Sequence, residues 1–321
     1  MVRPFDIEEI FPEVSSGSTR RGRRQSDSSA QGLTVTLIAD YTASTRAWLP
    51  SAAIVALLGE FGVTNGAART AISRLARRGV LEVNRHGRYS TYRLTDGAAA
   101  DLSNGGTVIA TVGVEPAPWD GSWTVVVFSI PEQERTRRRT LRDHLRWSGY
   151  APLYDGVWIS PAPLPPQERA ALAAAACGSV TVLRAQHQDL EAEVDRNPAE
   201  AWDLPGIAKE YERFIDKWGA LLPRIAAGSV TSAAAVRART EVMNVYRRFP
   251  VLDPMLPMAL MPPDWPRRRA TEAFVAIYDG LLQPAQDHIR AVVARMTDGP
   301  CPDIQAHTVA DMAAGVRRGP A

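Results

Sequence analysis

From Leu33 onward the chain alternates apolar-periodic stretches with turn residues, and the period identifies each element. Leu33 to Tyr41 reads as a first short helix. Pro50 and Ser51 open a second, in which Ile54, Leu57, Leu58 and Phe61 recur at i, i+3, i+4 and i+7, the spacing of one buried helix face; Gly62 ends it. Thr64 or Asn65 is placed to cap a third helix, where Ala68, Ala71, Ile72 and Leu75 share one side. After Gly79, the β-branched and aromatic segments Val80 to Asn84 and Tyr89 to Leu94 flank His86-Gly87, which predicts a hairpin. Three helices, the last two joined by a tight turn, followed by a hairpin predict a winged helix-turn-helix over residues 32–96.

Further along, the rhythm changes. A Gly-, Ala- and Pro-rich stretch around residues 97–118 reads as a linker into a middle domain, 107–187. Trp123 to Ile130 contains Val125-Val126-Val127-Phe128, an apolar run expected of a strand buried on both faces. A helix over 132–147, a hairpin of Tyr150–Tyr154 and Val157–Ser160 about Asp155-Gly156, a helix over 166–176 and a strand Val180–Leu183 follow. The order βαββαβ predicts a ferredoxin-like domain. The acidic linker Asp189, Glu191, Glu193 and Asp195 precedes an all-α C-terminal domain, 200–295, with helices at about 204–221, 231–248 and 267–294. Six prolines from Pro250 to Pro266 forbid a continuous helix there, yet Leu252, Met255, Leu256, Leu260, Met261 and Trp265 call for burial in an ordered irregular segment. Residues 1–31 read as a flexible basic arm with Arg20, Arg21, Arg23 and Arg24, and 296–321 as a flexible tail. The fold class expected is therefore α+β and multidomain.

Charge changes the picture locally. The chain has 37 basic and 35 acidic residues, a formal net charge of +2, so total charge identifies no polyanionic partner. Between Asn65 and Thr95, however, seven arginines (Arg69, Arg74, Arg77, Arg78, Arg85, Arg88 and Arg93) face Glu82 alone, a local net charge of +6. The polar side of the third helix offers Asn65, Arg69, Thr70, Ser73, Arg74 and Arg77, donors suited to phosphates and to guanine edges in a major groove. The hairpin tip adds Arg85, His86 and Arg88 for backbone or minor groove. The alternative is a solvated basic helix on a protein-binding adaptor. Arg135, Arg137, Arg138, Arg139, Arg142 and Arg146 form a second basic cluster, read as a solvated helix face or as a site for phosphate groups.

Other chemistry finds little support. Cys177 and Cys301 belong to no C-x-x-C pair, which fits a reducing cytoplasm; Cys177 is expected as a small core residue. No uncharged apolar run is long enough for a membrane span. No G-x-S-x-G, H-E-x-x-H or phosphate-loop motif occurs, and His86, His144, His187, His288 and His307 are scattered, so no catalytic residue, metal site or cofactor is expected. A metal-dependent nuclease on the middle domain is a further alternative, but the end of its first strand reads Phe128-Ser129-Ile130, without a carboxylate for a cation.

The chain resembles the phenylacetic acid degradation repressors, the PaaX family of bacterial transcription regulators. The resemblance is carried by Arg69-Thr70-Ala71-Ile72-Ser73-Arg74-Leu75, by Gly87-Arg88 and Tyr92-Arg93-Leu94, by Trp119-Asp120-Gly121 with Trp123, and by Gly156-Val157-Trp158-Ile159-Ser160. Trp202-Asp203-Leu204, Asp253-Pro254-Met255-Leu256-Pro257 and Pro263-Asp264-Trp265-Pro266 extend it over about residues 33–290. It implies a homodimeric repressor, not an enzyme, that binds a palindromic operator in double-stranded DNA and is released by an acyl-CoA such as phenylacetyl-CoA. Arg247, Arg248, Trp265 and Arg267 offer the guanidinium groups and apolar surface such an effector needs.

Overall fold

The elements form largely where the periodicity places them in the computed structural model, which describes residues 29–87, 89–114, 118–176, 180–189, 196–297 and 299–316. The basic arm lies outside the described residues apart from Ser29, Ala30 and Gln31, and so does Cys177. The chain divides into two compact units, one of residues 1–113, 211–252 and 266–321, the other of residues 114–210 and 253–265.

In the first unit, α1 (Ala30–Thr42) starts where the Ser29 hydroxyl accepts from Gly32 N at 3.0 Å. It is buried on nearly every side, Leu33, Val35, Ile38 and Tyr41 together with Thr34, Thr36 and Asp40. A helix so enclosed must satisfy its polar groups internally: Thr34, Thr36 and Thr42 each donate to the carbonyl four residues back. Strand β1 (Leu49–Pro50), α2 (Ser51–Gly59) and α3 (Asn65–Arg77) follow, then the antiparallel pair β2 (Leu81–His86) and β3 (Tyr89–Leu94). The sheet order is β1-β3-β2, with Leu49 opposite Tyr92 and Leu81 opposite Leu94.

Three expectations for this unit are corrected. The Gly- and Ala-rich stretch after the hairpin is no linker but a helix, α4 (Asp96–Thr111), whose first turn is capped by the Thr95 hydroxyl. Its glycines cost helix propensity, and contact offsets this: Met312 lies 3.6 Å from where a Cβ of Gly106 would stand, and Thr107 donates to Met312 O at 3.0 Å. The segment expected as a flexible tail is ordered through residue 316: Ile304, Ala306 and His307 are buried ahead of α13 (Val309–Ala313). The expected helix over 267–294 breaks at Leu281 into α11 (Arg267–Gly280) and α12 (Leu282–Arg295). Before these come α7 (Leu204–Gly219), within which the two units divide, α8 (Leu222–Ala226), α9 (Ser232–Tyr246) and the single turn α10 (Phe249–Leu252).

The second unit holds β4 (Ser122–Phe128), α5 (Arg135–Trp147), β5 (Ala151–Tyr154), β6 (Val157–Ser160), α6 (Pro166–Ala176) and β7 (Val180–Gln186). Its strands lie in the order β5-β6-β4-β7, all antiparallel. Leu141, Leu145 and Leu172 of the helices pack on Val126, Phe128 and Trp158 of the sheet. Helices cover one face only, so β4 is not buried on both sides as its apolar run suggests: Val126 is fully buried while Val127 is exposed. Beside β4, Trp123 meets Trp119 edge-on at 5.1 Å and stacks on Trp202 at 6.1 Å. In the proline-rich segment Leu256 and Trp265 are buried as expected, whereas Leu252 is exposed.

A buried polar cluster lies within the first unit. Arg239 of α9 is fully buried and donates to Tyr278 O at 2.7 Å and His307 O at 2.5 Å, its guanidinium 3.6 Å from the Tyr278 ring. Tyr278 in turn donates to Asp40 at 3.0 Å. Burial pushes the Asp40 carboxyl up to about 6 against the pull of Arg239, and pushes the His307 imidazole down to about 3, with the Arg239 charge adding to the effect. Replacing Arg239 by Ala leaves Asp40 with only the weaker pull of Arg247 and strips the Tyr278 and His307 carbonyls of their donor, and is expected to cost about 3 to 5 kcal/mol in urea unfolding; a loss below about 1 kcal/mol would contradict this assignment. His307, neutral when folded, contributes stability that is complete above its ordinary 6.5 and lost as pH falls toward 3. Asp40 acts in the opposite sense, its contribution complete below 3.8 and lost as pH rises through about 6. Between pH 6 and 4 the two effects oppose each other, so His307→Asn, which removes only the acid-labile part, is expected to make stability at pH 4 higher relative to pH 6.5 than in the wild type; an unchanged pH profile would refute it.

Candidate nucleic-acid interface

Helix α3 is two-sided. Ala68, Ala71, Ile72 and Leu75 are buried against α1 and α2, which turns Asn65, Arg69, Thr70, Ser73, Arg74 and Arg77 outward, all exposed. Thr64 starts the helix, its hydroxyl accepting from Ala67 N at 3.3 Å. At the other end Val80 N returns to Leu75 O at 3.0 Å and Gly79 N to Ala76 O at 3.1 Å, which closes the helix and aims the chain into β2. Thr70 donates to Gly66 O at 2.8 Å and keeps lone pairs for an outside donor.

Hairpin and helix are held to one another at the base. Thr95 Oγ1 donates to Gly79 O at 2.8 Å, and Thr95 N to Val80 O at 3.0 Å. Arg46, nearly buried, donates to Leu94 O at 2.5 Å, lies 3.3 Å from Glu82 and pairs with Asp96. Glu82 also accepts from Arg93 at 2.6 Å, and the Arg93 guanidinium sits 4.4 Å from the Trp48 ring. At the far end Arg85 is exposed, paired in register with Ser90, and Gly87 takes φ +57° to reverse the chain. His86 closes β2, opposite Tyr89; Arg88 lies outside the described residues.

The structure thus sorts the basic cluster. Arg78 donates to Gln31 of α1 at 3.0 Å, and Arg93 belongs to the hairpin base, so both are structural. Arg69, Arg74, Arg77 and Arg85 are exposed, and among the described residues none of them pairs with a carboxylate. Their charge is available to an outside anion. Sequence reasoning missed Arg46; its only signature is structural, a positive φ of 56° held by three partners.

The residues expected to take an effector are differently placed. Arg247 lines an 80 Å³ cavity of the first unit with Val35, Asp40, Ile109, Met243 and His307, and its Nη1 lies 3.5 Å from Thr36 Oγ1. Arg248 is exposed, Arg267 is buried, and Trp265 is buried in the second unit. Among the described residues no group of three or more His, Cys, Asp or Glu could hold a metal ion, and no helix is long and apolar enough to cross a membrane.

Comparison with known proteins follows this organisation. Residues 29–98 match the profile of the PaaX-like protein, residues 116–196 that of the PaaX protein central Cas2-like domain, and residues 202–291 that of the PaaX-like protein C-terminal domain. The transcriptional repressor PaaX of Escherichia coli strain K12 is 30% identical over 250 residues, 74% of this chain and 75% of its own length. A solved structure, that of an uncharacterized protein from Mycobacterium tuberculosis, superposes with a TM-score of 0.51 at 22% identity, covering 80% of this chain and 96% of that one, a likeness of fold. With three profiles matched in order and a relative aligned over most of both chains, this protein belongs to the PaaX family.

Proposed function

We propose that this protein is a sequence-specific DNA-binding transcriptional repressor of a catabolic pathway. The observation that carries the reading is the outward row Asn65, Arg69, Thr70, Ser73, Arg74 and Arg77 on α3, backed by a buried row, together with an exposed Arg85 on the hairpin. In this reading α1, α2, α3 and the β2–β3 hairpin act as a winged helix-turn-helix: α3 enters the major groove, and Arg85, His86 and Arg88 touch backbone or minor groove. The Escherichia coli relative, a transcriptional repressor, supports the same role. The second unit, with its sheet order β5-β6-β4-β7, is read as ferredoxin-like. Two copies bind a palindromic operator, because a two-fold site matches a two-fold protein. An acyl-CoA such as phenylacetyl-CoA releases the protein, held by Arg247 and Arg248, with the 80 Å³ cavity beside Arg247 taking part of the acyl group.

Fluorescence anisotropy with the duplex upstream of the protein's own gene, against a scrambled duplex at near-physiological salt, tests this reading. Tight binding to the first alone, released by phenylacetyl-CoA, is the expected result. Equal binding to both, there and at other candidate promoters, would favour a protein-binding adaptor. Arg74→Ala is expected to cost about 1 to 3 kcal/mol on the specific duplex and to relax base preference at one position. Arg88→Ala should weaken binding to every duplex alike; operator affinity unchanged by Arg74→Ala would remove that residue from the base contacts.

A further inference from the structure

Helix α5 sends Leu141 and Leu145 into the core of the second unit, and this fixes where its other residues face. Arg135, Arg138, Arg139, Arg142 and Arg146 fall at i, i+3, i+4, i+7 and i+11, one stripe of a helix with 3.6 residues per turn. Together with Asp143 they line an open groove of 480 Å³. At 1.5 Å per residue the stripe is about 16 Å long.

Asp155 and Asp143 are among the carboxylates that meet these arginines. Asp155 accepts from Arg138 at 2.5 Å and from Arg142, while Asp143 lies 3.7 Å from Arg139 and 3.4 Å from Arg146. Positive charge is in excess along the groove. Arg139 is 85% and Arg146 61% exposed, and at such exposure an ion pair contributes little, so either guanidinium can exchange a carboxylate for a phosphate at small cost. Arginine suits that exchange through its planar fork of donors.

The lining also selects the kind of anion. A coenzyme needs an apolar slot for its acyl chain and a face for its adenine, and this groove is walled by charged side chains alone. An extended polyanion fits better: the phosphates of one duplex strand wind about the axis as they rise, so a straight stripe of this length meets a run of roughly two or three of them. We propose that the arginine stripe of α5 is a second DNA contact, one that grips the phosphate backbone without reading sequence. It rests on the DNA-binding reading of α3 for its biological setting, but its test is separable.

The experiment uses the full chain, the pair Arg139→Gln with Arg146→Gln, and the charge-keeping pair Arg139→Lys with Arg146→Lys. Affinity for the upstream duplex and for a random duplex is followed between about 50 and 200 mM salt, a range in which each phosphate contact contributes about 0.9 to the slope of log affinity on log salt. The Gln pair is expected to lower that slope by about 2 for each bound protomer, about 4 for two copies on one duplex, so that its deficit against wild type shrinks roughly tenfold per protomer across the range. The preference for the upstream duplex should not change, and the Lys pair should keep the wild-type slope. An unchanged slope in the Gln pair overturns the proposal; so does a loss confined to phenylacetyl-CoA binding, which would assign the stripe to a coenzyme phosphate. A wild type that prefers the upstream duplex while the Gln pair keeps its slope rejects the stripe alone. A wild type without preference whose slope still falls in the Gln pair rejects the α3 reading and upholds the stripe.

Discussion

A guanidinium with no access to water, that of Arg239, organises the first unit. It rises from α9 to the Tyr278 carbonyl of α11 and the His307 carbonyl of the C-terminal segment, and Tyr278 continues the chain of bonds to Asp40 of α1. A buried charge pair adds little stability over an apolar core of the same volume, yet breaking it is costly; its effect is to dictate which surfaces meet. Here it ties α1 to the helices that follow α7. Gln305 N to Tyr41 O at 2.9 Å and His288 to Glu60 at 2.7 Å repeat the tie elsewhere. Because α3 packs on α1 and α2, the outward row of α3 inherits its orientation from that anchorage. The cavity lined by Asp40, His307 and Arg247 adjoins the same anchorage.

Electrostatics divides between anchoring and display. Arg46, Arg78 and Arg93 spend their charge on hydrogen bonds that hold hairpin, α1 and α3 together. Arg69, Arg74, Arg77 and Arg85 remain exposed, as does much of the stripe on α5. A chain with a net charge of only +2 therefore presents two strongly basic surfaces, and local charge governs which anions it meets.

The periodicity of α3 and the hairpin alternation were legible from the sequence because both elements are half-buried, the condition under which period reports burial. The same logic explains the failures. Helix α4 hid behind Gly97, Gly105 and Gly106, and it is secured by packing on α13, with Met312 beside Gly106 and bonded to Thr107 across more than 200 residues of sequence. The ordered segment around Ile304 and His307 carries almost no periodic signal, since Arg290 and Arg239 hold it by its carbonyls. In β4 the apolar run overstated burial, because run length cannot tell one covering layer of helices from two. Of the candidate interface, residue identities and the outward side were legible; which arginines are structural was not, since Gln31, Trp48 and Glu82 meet them only in the fold.

In the proposed function α3 reads base edges. Its most direct test is a thermodynamic cycle between Arg74→Ala and an operator in which single guanines are replaced by 7-deazaguanine, which lacks the N7 acceptor. Wild type should lose roughly tenfold in affinity at one such position, a loss absent in Arg74→Ala. Equal losses in both proteins at every position, or none in either, would contradict the account.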